Sequence, residues 1–408
     1  MPPLSIAGAD EGASVAADPV VVNAAAVGEV DADVRMDVLP SASALDTDEW
    51  DALVADEDFF HCRGWLASLD DALGPAEVLV ASGRGGLLGG CALWDGEQTS
   101  GLFHLPDFFR DVPGPWGDAF LWGGARRSTH TELPTVPGRR RHAVLRRVLA
   151  AARRIAIEKD RACVVIAYMP LRRALEAADA DEHACVLLHS AEAVQPAPAG
   201  GLQAMLASWR THDRVRSKAE LAAFGRCGNR AVFTPVTPAV AESAARLIAD
   251  TRAKHHSVQG EEWMRRIFDS QRRSGVLDAA VAIAAVRADG RSSAVCVSYR
   301  FGRALHVRYF GSDYSFLDND FRYFVLCYYL PVDYAAGRGL TQCRLATSAL
   351  DAKARRGASI EPLAALVLLT DRTPIDAEAV DRHNRRFAAY VHQQFPSRVS
   401  GEWSLVAG

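Results

Sequence analysis

The sequence predicts an α/β protein made of two related units in tandem. Apolar and polar residues alternate with the period of a β-strand through residues 293–300 and 304–310. Apolar residues recur with helical spacing through 138–160 and 375–395. Each half of the chain runs in the same order: helices, a hairpin, a helix and then strands. A chain of 408 residues is long for one hydrophobic core, so two units are expected.

The bulk composition is typical of a soluble globular protein, with 49% apolar and 24% charged residues. No apolar run is long enough to span a membrane, and residues 1–6 lack the basic start of a signal peptide. The eight cysteines form no Cys-x-x-Cys pair. Such scattered cysteines indicate reduced thiols, so we expect a cytoplasmic protein without a metal site.

The predicted domain organisation has three parts. Residues 1–44 contain seven acidic residues, one basic residue and no aromatic residue, and this composition is typical of a disordered tail. Residues 45–200 form the first unit, which ends in a segment rich in Pro and Gly at 195–201. Residues 201–408 form the second unit.

The first unit is predicted to contain two short helices, a hairpin, a long loop and a basic helix. The strands at 76–81 and 87–94 are joined by a turn that contains Gly83 and Gly85. Because these glycines lie between two strands, they do not indicate a dinucleotide-binding loop. Residues 95–137 have no regular pattern, and such a long loop is often functional.

Two predicted helices carry dense positive charge. One stripe lies within 139–154, where arginines recur every seven residues in two adjacent rows. A second cluster lies within 210–218, on a helix that begins near Leu202. Either stripe could follow a phosphate backbone, and the alternative is a solvated helix face.

The stretch from Val276 to Gly357 forms the predicted core of the second unit. It is predicted as three strands joined by turns, a long helix, a further strand and a basic loop at 351–357. A last strand at 364–370 and an amphipathic helix at 375–395 follow. This arrangement places a cluster of charge at one end of the strands.

Four segments of the second unit carry a family resemblance. They are the 202–218 helix with its basic cluster, the strand end at 307–313, the helix and its exit at 324–340, and the loop at 352–357. Their order resembles that of the FemAB-like acyltransferases of the Fem/GNAT superfamily, near the peptidoglycan-biosynthesis-like branch. The resemblance implies two tandem GNAT-like units with mixed, mostly antiparallel sheets flanked by helices, the second carrying the catalytic centre.

This resemblance implies an N-acyltransferase that joins an activated acyl or aminoacyl donor to an amine in natural-product or cell-envelope biosynthesis. No bound cofactor is expected, because the donor is a co-substrate. The core shows no turn of the kind that wraps the pyrophosphate of acyl-CoA, and this favours aminoacyl-tRNA as the donor. The alternatives are an acyl-CoA-dependent GNAT N-acetyltransferase and a non-catalytic binding module, since glycines of relatives are replaced within 346–351.

Three residues are the candidates for catalysis under this resemblance. Lys353 would bring a cation to the reacting carbonyl, because it follows a strand end. Asp313 would act as acid, base or holder of the amine, and the alternative is a turn residue. Tyr309 would donate a proton to the leaving group, and the alternative is packing within the sheet.

The candidates for donor binding are basic residues from two segments. Arg355 and Arg356, beside Lys353, would bind phosphate with two hydrogen bonds each. A second set from the 210–218 cluster would steer a polyanionic donor: Arg210, Arg214, Arg216 and Lys218. The alternative for both sets is an exposed basic surface.

Overall fold

One twelve-stranded sheet runs through the protein in the computed structural model, which describes residues 33–97, 104–316, 319–370 and 375–406. The described strands are β1 Arg35–Leu39, β2 Glu77–Gly83, β3 Gly86–Asp95, β4 Leu121–Gly123, β5 Cys163–Pro170, β6 Ala184–Pro196, β7 Arg230–Pro235, β8 Ala280–Val286, β9 Ser292–Phe301, β10 Ala304–Ser312, β11 Gln342–Arg344 and β12 Ser359–Leu369.

Helices cover both faces of this sheet. They are α1 Thr47–Asp51, α2 Arg63–Leu73, α3 Leu105–Phe108, α4 Arg141–Glu158, α5 Leu171–Ala178, α6 Gly201–Ala207, α7 Thr211–Arg226, α8 Pro238–Lys254, α9 Glu261–Arg273, α10 Arg322–Phe324, α11 Leu330–Ala336, α12 Leu350–Ala354 and α13 Ala377–Gln394. A π-helical turn, Val325–Tyr329, joins α10 to α11. Local signals set several ends: Thr237 caps α8 ahead of Pro238, and Gly275 at φ 81° follows α9.

The sheet consists of two halves that exchange a strand. Its strand order is β1-β2-β3-β4-β5-β12-β6-β11-β10-β9-β8-β7. The last strand of each half therefore lies inside the other half, since β12 pairs with both β5 and β6, and β6 also pairs with β11. Most neighbouring strands are antiparallel. The predicted fold class, two mixed and mostly antiparallel α/β units, is confirmed.

Each half contains one short parallel pair, β4 with β5 and β10 with β11. Beyond each pair the two strands separate and leave a wedge. In the first half the chain itself fills this wedge: residues 128–132 are buried, and the Thr131 N–H donates to the Tyr168 carbonyl at 3.0 Å. In the second half the described residues leave the wedge open.

The predicted tail 1–44 is too long at its C-terminal end. Within it, β1 forms an edge strand and pairs with β2 from Arg35 opposite Ser82 to Leu39 opposite Val78. Pairing satisfies backbone groups along the free edge of β2, a gain that composition does not reveal. Residues 1–32 of the predicted tail lie outside the described residues.

Other predicted elements agree with the structure. The short helices, the hairpin and the basic helix of the first unit are α1, α2, β2, β3 and α4. The long loop at 95–137 contains only α3 and β4 among its described residues. None of the described helices is long and apolar enough to cross a membrane.

Substitution of Leu366 by Ala tests whether the exchanged strand couples the two halves. Leu366 is fully buried in β12, opposite Ile166 of β5 and Val186 of β6. We expect the free energy of unfolding to fall by about 3 kcal/mol, as for other buried Leu to Ala changes. Urea unfolding followed by tryptophan fluorescence and by far-UV circular dichroism should show one coincident transition. Two separate transitions would contradict this coupling.

Candidate functional site

A cleft of about 950 Å³ opens where β10 and β11 separate. These strands pair only from Ala304 to His306, opposite Gln342 to Arg344. The walls come from the end of β10, the start of the helix that follows it, the segment after β11, α12, and the C-terminal end of α8. A bulge in β10 between Val307 and Tyr309 changes the direction of the side chains at the cleft.

Lys353 lies at the inner end of this cleft, on α12, and is 2% exposed. Its Nζ donates to the Leu345 carbonyl and, at 3.1 Å, to the Ala346 carbonyl. Burial lowers the pKa of the amine to about 7, because a desolvated ammonium is costly. The predicted cation on an exposed loop is thus a buried amine that exchanges its proton near neutral pH.

Unfavourable backbone conformations cluster around the cleft. Phe321, Ala346 and Ala349 all line it, and all three have positive φ, at 55°, 59° and 51°. A side chain with a Cβ costs free energy in this left-handed region. Ala346 and Ala349 therefore hold a backbone conformation that favours glycine. Strained residues of this kind concentrate at functional sites.

Asp313 lines the cleft but is held by its own turn. Its carboxylate accepts hydrogen bonds from the Ser315 N–H at 2.9 Å and the Ser315 hydroxyl at 2.6 Å. The hydrogen bond from the Ser315 side chain holds the pKa of Asp313 below its usual value. The group is therefore a carboxylate at neutral pH and a weak base.

Tyr309 also borders the cleft, although most of its side chain packs in the core. The residue is 7% exposed, and its ring makes an edge contact with Phe268 at 5.7 Å. Its hydroxyl lies 3.5 Å from the Gln271 amide nitrogen. This environment supports the packing alternative more than the predicted donation to a leaving group.

Arg356 and Arg355 have different surroundings. Arg356 is buried, donates to Glu220 at 2.6 Å, and lies 3.4 Å from the centre of the Phe324 ring. Its guanidinium is engaged inside the protein, so the geometry does not support the predicted phosphate contact. Arg355 is exposed and pairs with Asp351 at 3.0 Å. Sequence could not separate them, because these neighbouring positions just after α12 face opposite environments.

The predicted basic set on the second helix lies at α7 and does not line the cleft in the part of the chain that the structure describes. Arg210, Arg214 and Lys218 are wholly or partly exposed. Arg216 pairs with Asp213 at 3.0 Å and donates to the Arg355 carbonyl at 2.5 Å. The basic stripe of α4, at 139–154, belongs to the first half. Thus α7 contacts the segment after α12 through Arg216, whereas Arg210 and Lys218 remain exposed.

One arginine of the cleft, Arg322, is not among the site residues predicted from the sequence. Arg322 is 6% exposed and lines the cleft. Its Nε donates to Asp320 at 2.8 Å, whereas its Nη2 is buried without a hydrogen-bond partner among the described residues. A buried unpaired guanidinium nitrogen is costly, so it indicates an absent acceptor. Together with Lys254 and Arg308, it gives the cleft three cations against the two carboxylates of Asp313 and Asp320, apart from Lys353.

Substituting glycine for Ala349 tests the strain in the cleft wall. We expect Ala349→Gly to raise the free energy of unfolding by about 1 kcal/mol, because glycine adopts positive φ without a steric cost. Ala219→Gly is the matched control: this exposed alanine lies inside α7, so glycine should lower stability by about 1 kcal/mol. Urea unfolding measures both values. An equal loss in both variants would contradict the strain.

A pair of substitutions tests the roles of the two adjacent arginines. Arg356→Met leaves the Glu220 carboxylate buried without its partner, so we expect a loss of about 3–5 kcal/mol in the free energy of unfolding. Arg355→Met removes an exposed ion pair, and we expect a change below about 1 kcal/mol. Thermal unfolding of the two variants distinguishes these outcomes, and equal stabilities would refute the difference.

No protein-family model matches the sequence, and no curated protein matches it either. Among solved structures, FemX matches with a TM-score of 0.56 at 10% identity, over 82% of this chain and 97% of FemX. The C-terminal domain of a putative lysylphosphatidylglycerol synthetase from Agrobacterium fabrum matches with a TM-score of 0.50 at 10% identity, over 85% and 95% of the two chains. A tandem GNAT protein from the clavulanic acid biosynthesis pathway has a TM-score of 0.48 at 14% identity, covering 83% of this chain and all of its own. The likeness to FemX at this low identity shows a shared fold, and it confirms the predicted Fem/GNAT-like architecture.

Proposed function

We propose that this protein is an N-acyltransferase that joins an activated acyl or aminoacyl group to an amine in the cleft between β10 and β11. The observation that carries the proposal is Lys353, a buried amine with a pKa of about 7 at the inner end of a positively charged cleft. Amide formation needs a group that accepts a proton near neutral pH, and Lys353 has that property.

The geometry around Lys353 favours a base over the cation that we expected from the sequence. A neutral amine has two hydrogens and one lone pair. The carbonyls of Leu345 and Ala346 accept the two hydrogens, which leaves the lone pair for a third partner. Lys353 would accept a proton from the acceptor amine as its nitrogen attacks the acyl carbon. The tetrahedral intermediate then collapses, and the donor's leaving group departs.

Arg322 would hold an anionic part of the donor. Its Nη2 is the buried nitrogen that has no partner among the described residues, and Asp320 orients the guanidinium by accepting a hydrogen bond from Nε. A phosphate oxygen would supply the missing acceptor. Asp313, as a carboxylate at the same strand end, would attract the acceptor amine.

We propose aminoacyl-tRNA as the donor ahead of acyl-CoA. The exposed cations Arg210, just before α7, and Lys218, on α7, support this choice, because α7 contacts the segment after α12 and could bind a phosphate backbone beside the cleft. The acceptor would be an amine of a natural product or of a cell-envelope precursor, as the Fem/GNAT resemblance implies.

Lys353→Met tests the base through the pH dependence of turnover. In the wild type we expect kcat to rise tenfold per pH unit below about pH 7 and to level off above it, because only neutral Lys353 accepts a proton. The variant should lose roughly 10²–10⁴-fold in kcat and lose this inflection. Asp351→Asn is the control, because Asp351 is exposed and pairs with Arg355. A retained inflection in Lys353→Met would refute the assignment.

The same variant has an expected signature in stability. The pKa of Lys353 is lower in the folded protein than in the unfolded chain, where it is about 10.4. Between about pH 7 and pH 10 the unfolded chain therefore binds more protons, and the free energy of unfolding of the wild type should rise with pH. Lys353→Met should lack this rise. Urea unfolding at pH 7 and pH 9.5 measures it.

Ribonuclease distinguishes the two donors. Treatment of the donor fraction should abolish amide formation if aminoacyl-tRNA is the donor, whereas a reaction with acyl-CoA would continue. As a second test, the double variant Arg210→Gln/Lys218→Gln should bind tRNA more weakly than the wild type, and added salt should reduce the difference between their affinities. Continued turnover after ribonuclease treatment would exclude the tRNA donor.

A further inference from the structure

Two tyrosines that line the cleft contact each other although they are five positions apart in the sequence. The hydroxyls of Tyr323 and Tyr328 lie 2.7 Å apart, and the ring centres lie 5.2 Å apart. In a regular α-helix, residues five apart point about 140° away from each other. An ordinary helix in this place would separate the two hydroxyls.

The π-helical turn at Val325–Tyr329 produces the contact. A π-turn has hydrogen bonds from residue i to residue i+5, so residues five apart lie above one another. Pro331 gives a local reason for the turn. It has no N–H that could donate a hydrogen bond to the Cys327 carbonyl four residues earlier, and its ring would clash with that carbonyl in an α-helix. Single π-turns of this kind are frequent at functional sites.

Only one of the two hydroxyl protons is needed for the hydrogen bond between the two tyrosines. Tyr328 donates to Tyr323, so the proton of the Tyr323 hydroxyl has no acceptor among the described residues. If the direction were reversed, the proton of Tyr328 would be left over instead, and both side chains line the cleft. Burial raises the pKa of both phenols, which therefore keep their protons at neutral pH.

The surroundings strengthen the free donor. Phe310 packs edge-on against Tyr323 at 4.8 Å, and Phe324 lies 5.6 Å from the same ring. A hydrogen bond is electrostatically stronger in such apolar surroundings than in water, and a chain of two hydroxyls polarises its terminal proton. Donors held in this way stabilise negative charge that develops on a reacting oxygen.

We propose that the Tyr323 hydroxyl, polarised by Tyr328, donates a hydrogen bond to the carbonyl oxygen of the acyl group during transfer. The inference rests on the proposed function and names the group that stabilises the oxyanion. As the amine nitrogen bonds to the acyl carbon, the π electrons of the carbonyl move to its oxygen. That oxygen accepts the hydrogen bond without taking the proton, the amine proton passes to Lys353, and the collapse of the intermediate breaks the bond to the leaving group.

The two tyrosines have different roles in this proposal. Tyr323 contacts the substrate and is the catalytic donor. Tyr328 acts through Tyr323 and is a positioning residue. Tyr329, next in sequence, faces the other way: its hydroxyl contacts the Ser217 hydroxyl at 2.9 Å and Glu220 at 2.5 Å, outside the cleft. It therefore offers a structural control on the same helical turn.

Steady-state kinetics of three Tyr→Phe variants test the assignment. For Tyr323→Phe we expect kcat to fall about 10²–10³-fold with KM changed less than about threefold, because the bond strengthens only in the transition state. Tyr328→Phe should lose about tenfold in kcat, and the double variant should be no slower than Tyr323→Phe alone. Tyr329→Phe should keep the wild-type kcat, and thermal unfolding should show any loss of stability.

The outcomes separate this inference from the proposed function. If the wild-type protein forms the amide and Tyr323→Phe has the same kcat, the oxyanion role is overturned and the proposed function is left intact. Additive losses in the double variant would overturn the coupling of Tyr328 to Tyr323. A wild-type protein that forms no amide with either class of donor would overturn the proposed function and this inference with it.

Discussion

The position of β12 between β5 and β6 is the constraint on which the rest of the structure depends. Through this strand the two halves share one sheet, and each half gives up its last strand to the other. β12 pairs with β6 from Ser359 to Leu368 and with β5 from Leu363 to Leu369, and Leu363 to Leu369 are all buried. α12 lies just before β12 in the chain. Together with the segment after β11, it forms part of the cleft wall.

Among the described residues, the wedge beside β10 is open and the wedge beside β4 is filled. Both halves have a short parallel pair whose strands then separate. In the first half the polar segment at 128–132 occupies the space and hydrogen bonds to the end of β5. In the second half, the described part of the connection from β10 to α10 borders the cleft, with Asp313, Tyr314 and Phe321 among its lining residues. The difference therefore lies in the connection between strand and helix.

Chemistry in the open cleft comes from polar groups that the fold has removed from water. Lys353 loses part of its affinity for a proton because it is buried, and Arg322 has one nitrogen without a partner among the described residues. The π-turn before Pro331 brings two phenols into contact. Each feature lowers the free energy of unfolding. Such destabilising features are concentrated where they bind a ligand or take part in a reaction.

The sequence by itself determined the order of helices and strands, the α/β class and the stretch that contains the cleft, because alternation and helical spacing are local properties of the chain. It also placed Lys353, Asp313 and Tyr309 along the cleft by resemblance. Only the tertiary structure decided that Arg356 is buried against Glu220 of α7, that Arg210 and Lys218 stay exposed, and that Tyr323 contacts Tyr328. Burial depends on partners such as β12 and α7, which are distant in the sequence. The sequence around a basic residue beside Lys353 therefore does not show whether its side chain faces solvent or a buried carboxylate.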